Sequence, residues 1–467
     1  LKIKEACKIL SKILKIEQKN YLVITKILQH KKFENFKDYK FLFDKFKSII
    51  NEEFYTITCK KINPAIALIG YGRSGSLFLH SLLDGHPEIS TLPGYFFKGW
   101  FNEETWSTLR PNYKNANWRK KLSKNIIQLF EPQFNSNSRK NVIGKPCGDI
   151  AWLAKSKGFT RLGDKSSESL VLNPKIFEDS FLKSLDTMDQ VDSKLCFELI
   201  HDAFDIAYRN NSKNHEIDKI IFYHIHNPSA FEHVNFIGNF PRSKILYLVR
   251  NPLQMLESWL LDDLNLLKQN QNYFKTIEIT RRIINKICYP FYRLYDPINS
   301  LHTGSVRGVR LEDIKKRPKI TIPKICNWMG IKENKNLFKS EFMEKKFSRP
   351  SYSFDNIAGF DLRSIEVPIG RFFGKKDIEI LETLLWPFLN TYGYTNKSKN
   401  EFTENLSKIK PLIGQPLEFE LKLKKQISFK NKKFKGMDPF NKMHQQFSDA
   451  HQTLTDTGTY PYIIKPL

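Results

Sequence analysis

Three glycines and a cation fall within seven residues of this chain. Gly70, Gly72 and Gly75 punctuate the run Gly70-Tyr71-Gly72-Arg73-Ser74-Gly75-Ser76, and glycines at that spacing let a backbone come close to an anion. Ahead of them, Ala65-Ile66-Ala67-Leu68-Ile69 is a short apolar run with β-branched members, the pattern of a buried strand. From Leu77 the period changes. Leu77, Phe78, Leu79, Leu82 and Leu83 share one broad helical face, and Asp84-Gly85-His86-Pro87 closes it. Strand, glycine turn and helix together predict an anion cradle, with first-turn N–H groups aimed at the ligand and the helix dipole favouring negative charge. An ordinary βα turn would carry the same residues.

A loop for nucleoside triphosphates needs G-x-x-x-x-G-K-[ST], because its Lys reaches the terminal phosphates and its hydroxyl holds magnesium. Gly70 and Gly75 have that spacing, but Ser76 stands in the Lys position and Leu77 in the hydroxyl position. The cation sits inside the loop, at Arg73. With His86-Pro87 about ten residues further on, the stretch resembles the 5′-phosphosulfate loop of the sulfotransferases, where a strand runs into [KR]-[SA]-G-[ST] and a helix. The resemblance implies that Gly72, Arg73, Ser74, Gly75, Ser76 and Leu77 hold the 5′ end of 3′-phosphoadenosine 5′-phosphosulfate (PAPS), and that Arg73 steadies charge on the leaving phosphate.

A second stretch matches the same family. Residues 244–260 read KILYLVRNPLQMLESWL, with a strand pattern up to Val249, Arg250 at its end, and Pro252 suited to the first position of a helix. The resemblance implies a 3′-phosphate site made by Arg250 and the helical Ser258. A bidentate guanidinium plus a hydroxyl is a sound recogniser of the phosphate that separates this donor from ATP.

Softer matches follow. Gly163-Asp164-Lys165-Ser166-Ser167 resembles a short Lys-hydroxyl segment of the family, which would bring Lys165 to the sulfuryl oxygens; Lys165 would serve equally as a solvated turn lysine. His224 and His226 lie two apart, on one strand face. His226-Asn227-Pro228 occurs where related sequences carry Lys-Thr-Pro. An imidazole near neutral pKa makes His226 a candidate base for an acceptor hydroxyl, while a buried, carbonyl-bonded histidine is the commoner fate. Glu88 and Glu103-Glu104 do not match the spacing of the family's usual acidic base. Gly370-Arg371 and Gly374-Lys375 precede a long amphipathic pattern, and the resemblance makes Arg371 and Lys375 further candidates for the 3′-phosphate. Leu311-Glu312-Asp313 reads as structural.

Composition sets the outer bounds. The 467 residues are 40% hydrophobic and 13% aromatic, with 37 Phe, enough for a large core. A net charge of +26 implies anionic partners. The six cysteines form no C-x-x-C pair, which argues against a zinc ribbon or a disulfide framework and fits a reducing, cytoplasmic setting. No apolar run reaches transmembrane length, and no secretory leader pattern precedes the first strand.

The expected architecture is α/β: a central parallel sheet with helices on both faces, similar to nucleotide kinases. It would comprise a helical N-terminal segment over 1–60, a sulfotransferase domain over 61–395 with an acceptor-shaping insert at about 95–215, and a polar, basic extension over 396–467. The expected chemistry is sulfuryl transfer from PAPS, without a metal, to a hydroxyl or amine of open identity. The alternatives are an ATP-dependent kinase of similar fold, or a basic polyanion- or nucleic-acid-binding protein lacking any base-reading element.

Overall fold

The computed structural model describes residues 65–93, 99–101, 103–134, 162–209, 219–227, 230–240, 242–269, 273–293, 305–351, 354–428, 438–460 and 463–467. The N-terminal segment expected over 1–60 lies outside these residues, as do stretches 94–98 and 135–161 of the expected insert.

The centre is a five-stranded, wholly parallel sheet of β1 (Ala65–Gly70), β2 (Ile89–Thr91), β3 (Ile220–His226), β4 (Lys244–Val249) and β5 (Val306–Arg310), in the order β2-β3-β1-β4-β5. Parallel strands covered on both faces read as nearly continuous apolar runs, and β1, β3 and β4 do so. Their residues alternate between two cores. Ala65, Ala67 and Ile69 of β1 pack on one face with Tyr223 and Tyr247, while Ile66 and Leu68 pack on the other with Phe222 and Leu246.

The helices are α1 (Ser76–Leu83), α2 (Glu103–Leu109), α3 (Trp118–Phe134), α4 (Pro174–Leu185), α5 (Ser193–Tyr208), α6 (Ala230–Asn239), α7 (Pro252–Gln269) and α8 (Tyr273–Arg293). They continue as α9 (Leu311–Lys316), α10 (Pro318–Met329), α11 (Lys375–Leu384), α12 (Trp386–Thr391), α13 (Lys399–Ile413), α14 (Glu418–Ser428) and α15 (Pro439–Thr457). One face of the sheet is covered by α1, α9 and α10, which contribute Leu79, Leu82, Ile314 and Ile325. The larger core on the other face draws on α5, α7 and α8 and on the chain after residue 395, which adds Phe402, Ile409, Phe440 and Phe447. Phe447 of α15 meets Phe291 of α8 with ring centroids 5.3 Å apart. Truncating a fully buried side chain such as Leu256 to Ala would cost about 2–5 kcal/mol. None of the described helices is long and apolar enough to cross a membrane.

The strand order places the site. Gly70, the last residue of β1, sits level with His226 of β3 on one side and Leu248 of β4 on the other. Because the connection leaving β1 runs over one face towards β2, while that leaving β4 runs over the other face towards β5, the carboxyl ends open at a topological switch point, where such sheets bind ligands.

Beneath that site lies a buried imidazole cluster. His80 Nδ1 of α1 and His224 Nδ1 of β3 are 3.3 Å apart, so one neutral ring donates and the other accepts. Burial holds His80 down to about 4 and His201 down to about 3. Between the ordinary 6.5 and these values the unfolded chain binds more protons than the folded one, so stability falls on acidification. Urea unfolding should therefore show a loss on the order of 3 kcal/mol from His80 alone as pH drops from about 6.5 to about 4. The variant His80→Gln should flatten that slope; an unchanged slope would mean the cluster takes up no protons on unfolding.

Candidate nucleotide-binding site

The glycine loop is held in shape from three directions. Gly75 lies at φ 89, and an added Cβ would come within 2.9 Å of Leu311, so this position closes to any other residue on two counts. A Cβ on Gly72 would meet the Trp259 ring at 2.6 Å. Asn227, after β3, accepts from Gly72 N at 2.7 Å through its side chain and donates its own N–H to Gly70 O at 2.8 Å. Arg73 adopts φ 67, a left-handed conformation costing a side-chain-bearing residue roughly 1–2 kcal/mol. What holds it there is Arg250, whose Nη1 donates to Arg73 O at 2.8 Å.

Arg250 is 7% exposed. Its Nη2 donates to Ser364 O at 2.8 Å, and its Nε has no hydrogen-bond partner among the described residues. Burial brings its guanidinium down to about 10, partly countered by the nearby Glu312 and Tyr394, so it stays charged at neutral pH. Ser74 Oγ, fully buried under the loop, also lacks a partner. Ser74 follows Arg73, the residue whose carbonyl Arg250 holds, so both unpaired donors belong to the same loop contact.

Above the loop is a cavity of about 630 Å³. Its wall includes Gly72, Arg73, Gly75, Ser76 and Leu77 from the loop and first turn, His226 at the end of β3, Arg250 after β4, and Ser258 on α7. Chain segments separated by more than 150 residues thus meet in one concave space, and Ser74 lies buried just behind it. The other expected residues are not among those lining it. Lys165 is exposed in a turn beside Leu162, whose bridge partner Phe347 does line the cavity. Lys375 is exposed at the start of α11, and Arg371 is half-buried with Nε donating to Pro368 O at 3.2 Å.

Several wall residues went unread in the sequence. Asp262 forms an ion pair with Arg73; it lies one helical turn beyond Ser258 and so shares its face. Asp263 next to it is neutralised by Arg282 at 2.6 Å and Lys286 at 2.8 Å. Lys315, one turn after Leu311, donates to Gly359 O at 2.6 Å and Asp361 O at 3.0 Å, and burial lowers it to about 8. Its Nζ lies 4.4 Å over the Phe78 ring. The stretch read as structural therefore contributes both Leu311 and Lys315 to the cavity. Among the described lining residues, Arg73, Arg250, Arg282, Lys286 and Lys315 outnumber the two carboxylates, so the space attracts anions.

A comparison with curated proteins gives no match. Among solved structures, the sulfotransferase domain of the Synechococcus PCC 7002 olefin synthase shares 14% identity over 61% of this chain and 79% of its own, with a TM-score of 0.33. A sulfotransferase domain of the curacin biosynthetic pathway shares 12% identity over 67% and 95%, with a TM-score of 0.35. A sulfotransferase of Mycobacterium tuberculosis H37Rv shares 13% over 64% and 75%, with a TM-score of 0.27. At these scores the structural likenesses carry no weight of their own. The profile described as the sulfotransferase family matches residues 64–335, from the strand entering the glycine loop to just beyond α10. That span is more than half of the sequence and contains both the loop and the Arg250–Ser258 pair, and on it the chain belongs to the sulfotransferase family.

Proposed function

We propose that the cavity binds PAPS and that the chain transfers its sulfuryl group to an acceptor hydroxyl or amine. The observation that carries this reading is the convergence of the loop amides, Arg250 and Ser258 on one cavity, with a buried guanidinium nitrogen left unpaired there. PAPS, when bound, supplies a sulfuryl group on a good leaving phosphate.

Each wall then has a task. Amides of Arg73, Gly75, Ser76 and Leu77, at the head of α1, bind the 5′ end and meet the charge that grows on the leaving oxygen. Arg73 adds a full positive charge at the same point. Arg250 and Ser258 hold the 3′-phosphate. Phe78, Leu311 and Ile357 offer an apolar wall for a purine ring. His226, half-buried on that wall, takes the acceptor's proton as the new S–O bond forms and the bond to the 5′-phosphate breaks. The buried, unpaired Cys196, Cys288 and Cys326 support a reducing, cytoplasmic setting for this chemistry.

Asp262 competes with the donor for Arg73 until the donor arrives. Both partners are partly exposed, at 29% and 40%, so the pair is worth at most about 1 kcal/mol. Asp262→Asn should therefore tighten binding of adenosine 3′,5′-bisphosphate by up to about fivefold, measured by calorimetry. Weaker binding would instead make Asp262 a contact to the nucleotide. The broader test sets adenosine 3′,5′-bisphosphate against 5′-AMP and ATP at moderate salt, which screens nonspecific attraction. Wild type should prefer the bisphosphate. Arg250→Ala should weaken it about a hundredfold and weaken 5′-AMP as well, because it also frees the Arg73 carbonyl. Ser258→Ala should weaken the bisphosphate about tenfold while 5′-AMP binding changes far less. Equal binding of the three nucleotides would remove the basis for PAPS as donor.

A further inference from the structure

Glu257 lies next to Ser258 in the middle of α7, and it is fully buried. A charge in that position must be satisfied, and this one is satisfied by backbone alone. Its Oε1 accepts from Gly370 N at 3.0 Å, Phe372 N at 2.9 Å and Phe373 N at 3.0 Å, and its Oε2 accepts from Gly370 N at 3.1 Å. Gly370 sits at φ 101, so the chain turns there to present three N–H groups to one carboxylate.

The contact belongs to a longer seam. Arg250 Nη2 donates to Ser364 O at 2.8 Å, and Gln254 Nε2 donates to Val367 O at 2.7 Å. Arg250, Gln254 and Glu257 thus bind successive points of residues 364–373, laying that segment along α7. Ser364 and Val367 line the cavity. At the far end, Phe372 and Phe373 are buried and pack against Phe419 of α14.

We propose that Glu257 is a positioning residue, whose carboxylate fixes the Gly370–Phe373 turn and so holds residues 364–373 where Ser364 grips Arg250 and, with Val367, walls the cavity beside Ser258. It thereby sets the preference for a nucleotide carrying a 3′-phosphate. The inference rests on the reading of that wall as the 3′-phosphate site. The bonds changed by Glu257→Gln are charge-assisted and buried: a glutamine oxygen in place of Oε1 would accept from the same three N–H groups without the charge, and its NH2 in place of Oε2 would confront Gly370 N–H with a second donor.

The test measures the ratio of affinities for adenosine 3′,5′-bisphosphate and 5′-AMP by calorimetry. Glu257→Gln should lower that ratio about tenfold, with 5′-AMP affinity held within about twofold. Gln254→Ala, which releases the same segment at Val367, should lower it similarly, and the double variant should fall no further than either single one. A wild-type ratio in Glu257→Gln overturns the proposal, as do losses that simply add in the double variant. Should Glu257→Gln not fold, Gly370→Ala strains the same turn from the loop side, and a wild-type ratio there is equally decisive against it. A wild-type protein that binds both nucleotides alike overturns the donor reading and this inference together.

Discussion

Arg250 carries a positive charge into a place with little water, and much of the site depends on what it grips. One of its terminal nitrogens holds the Arg73 carbonyl and the other holds Ser364, so a single guanidinium fastens the glycine loop on one side and the 364–373 segment on the other. Removing water from a guanidinium is costly, and Glu312 and Tyr394 offset only part of that cost. Arg250 Nε has no hydrogen-bond partner among the described residues, an unmet demand that supports the reading of the cavity as an anion site.

The parallel sheet makes this grip possible. Its register sets Gly70 level with His226 and Leu248, so residues at the ends of three strands become neighbours without any local sequence relation. Helix α7 then extends the wall. Gln254, Glu257, Ser258 and Asp262 recur at helical spacing from Arg250 onward, and each one touches the loop, the 364–373 segment or the cavity.

Legibility in the sequence followed locality. The buried strands, the glycine turn and the Arg250–Ser258 pair each occupy a short continuous run, and their backbone path is written in that run. Asp262 and Lys315 were harder to read because their roles come from partners far away in sequence: Arg73 for one, Gly359 and Asp361 for the other. The helical spacings Ser258–Asp262 and Leu311–Lys315 were the only local signals. The polar composition after residue 395 likewise conceals its contribution, since Phe402, Leu406, Ile409 and Ile413 form a buried stripe on an otherwise charged helix. Lys165 shows the opposite case: it is exposed and not among the lining residues, although Leu162 nearby pairs with Phe347 of the wall.

The most direct measurement is a crystal structure of the protein with adenosine 3′,5′-bisphosphate. The account predicts the 5′-phosphate on the amides of Arg73, Gly75, Ser76 and Leu77 and the 3′-phosphate on Arg250 Nε and Ser258 Oγ, with Arg73 released from Asp262. A nucleotide bound elsewhere, or one with its 3′-phosphate in solvent and Arg250 Nε still unpaired, would contradict it.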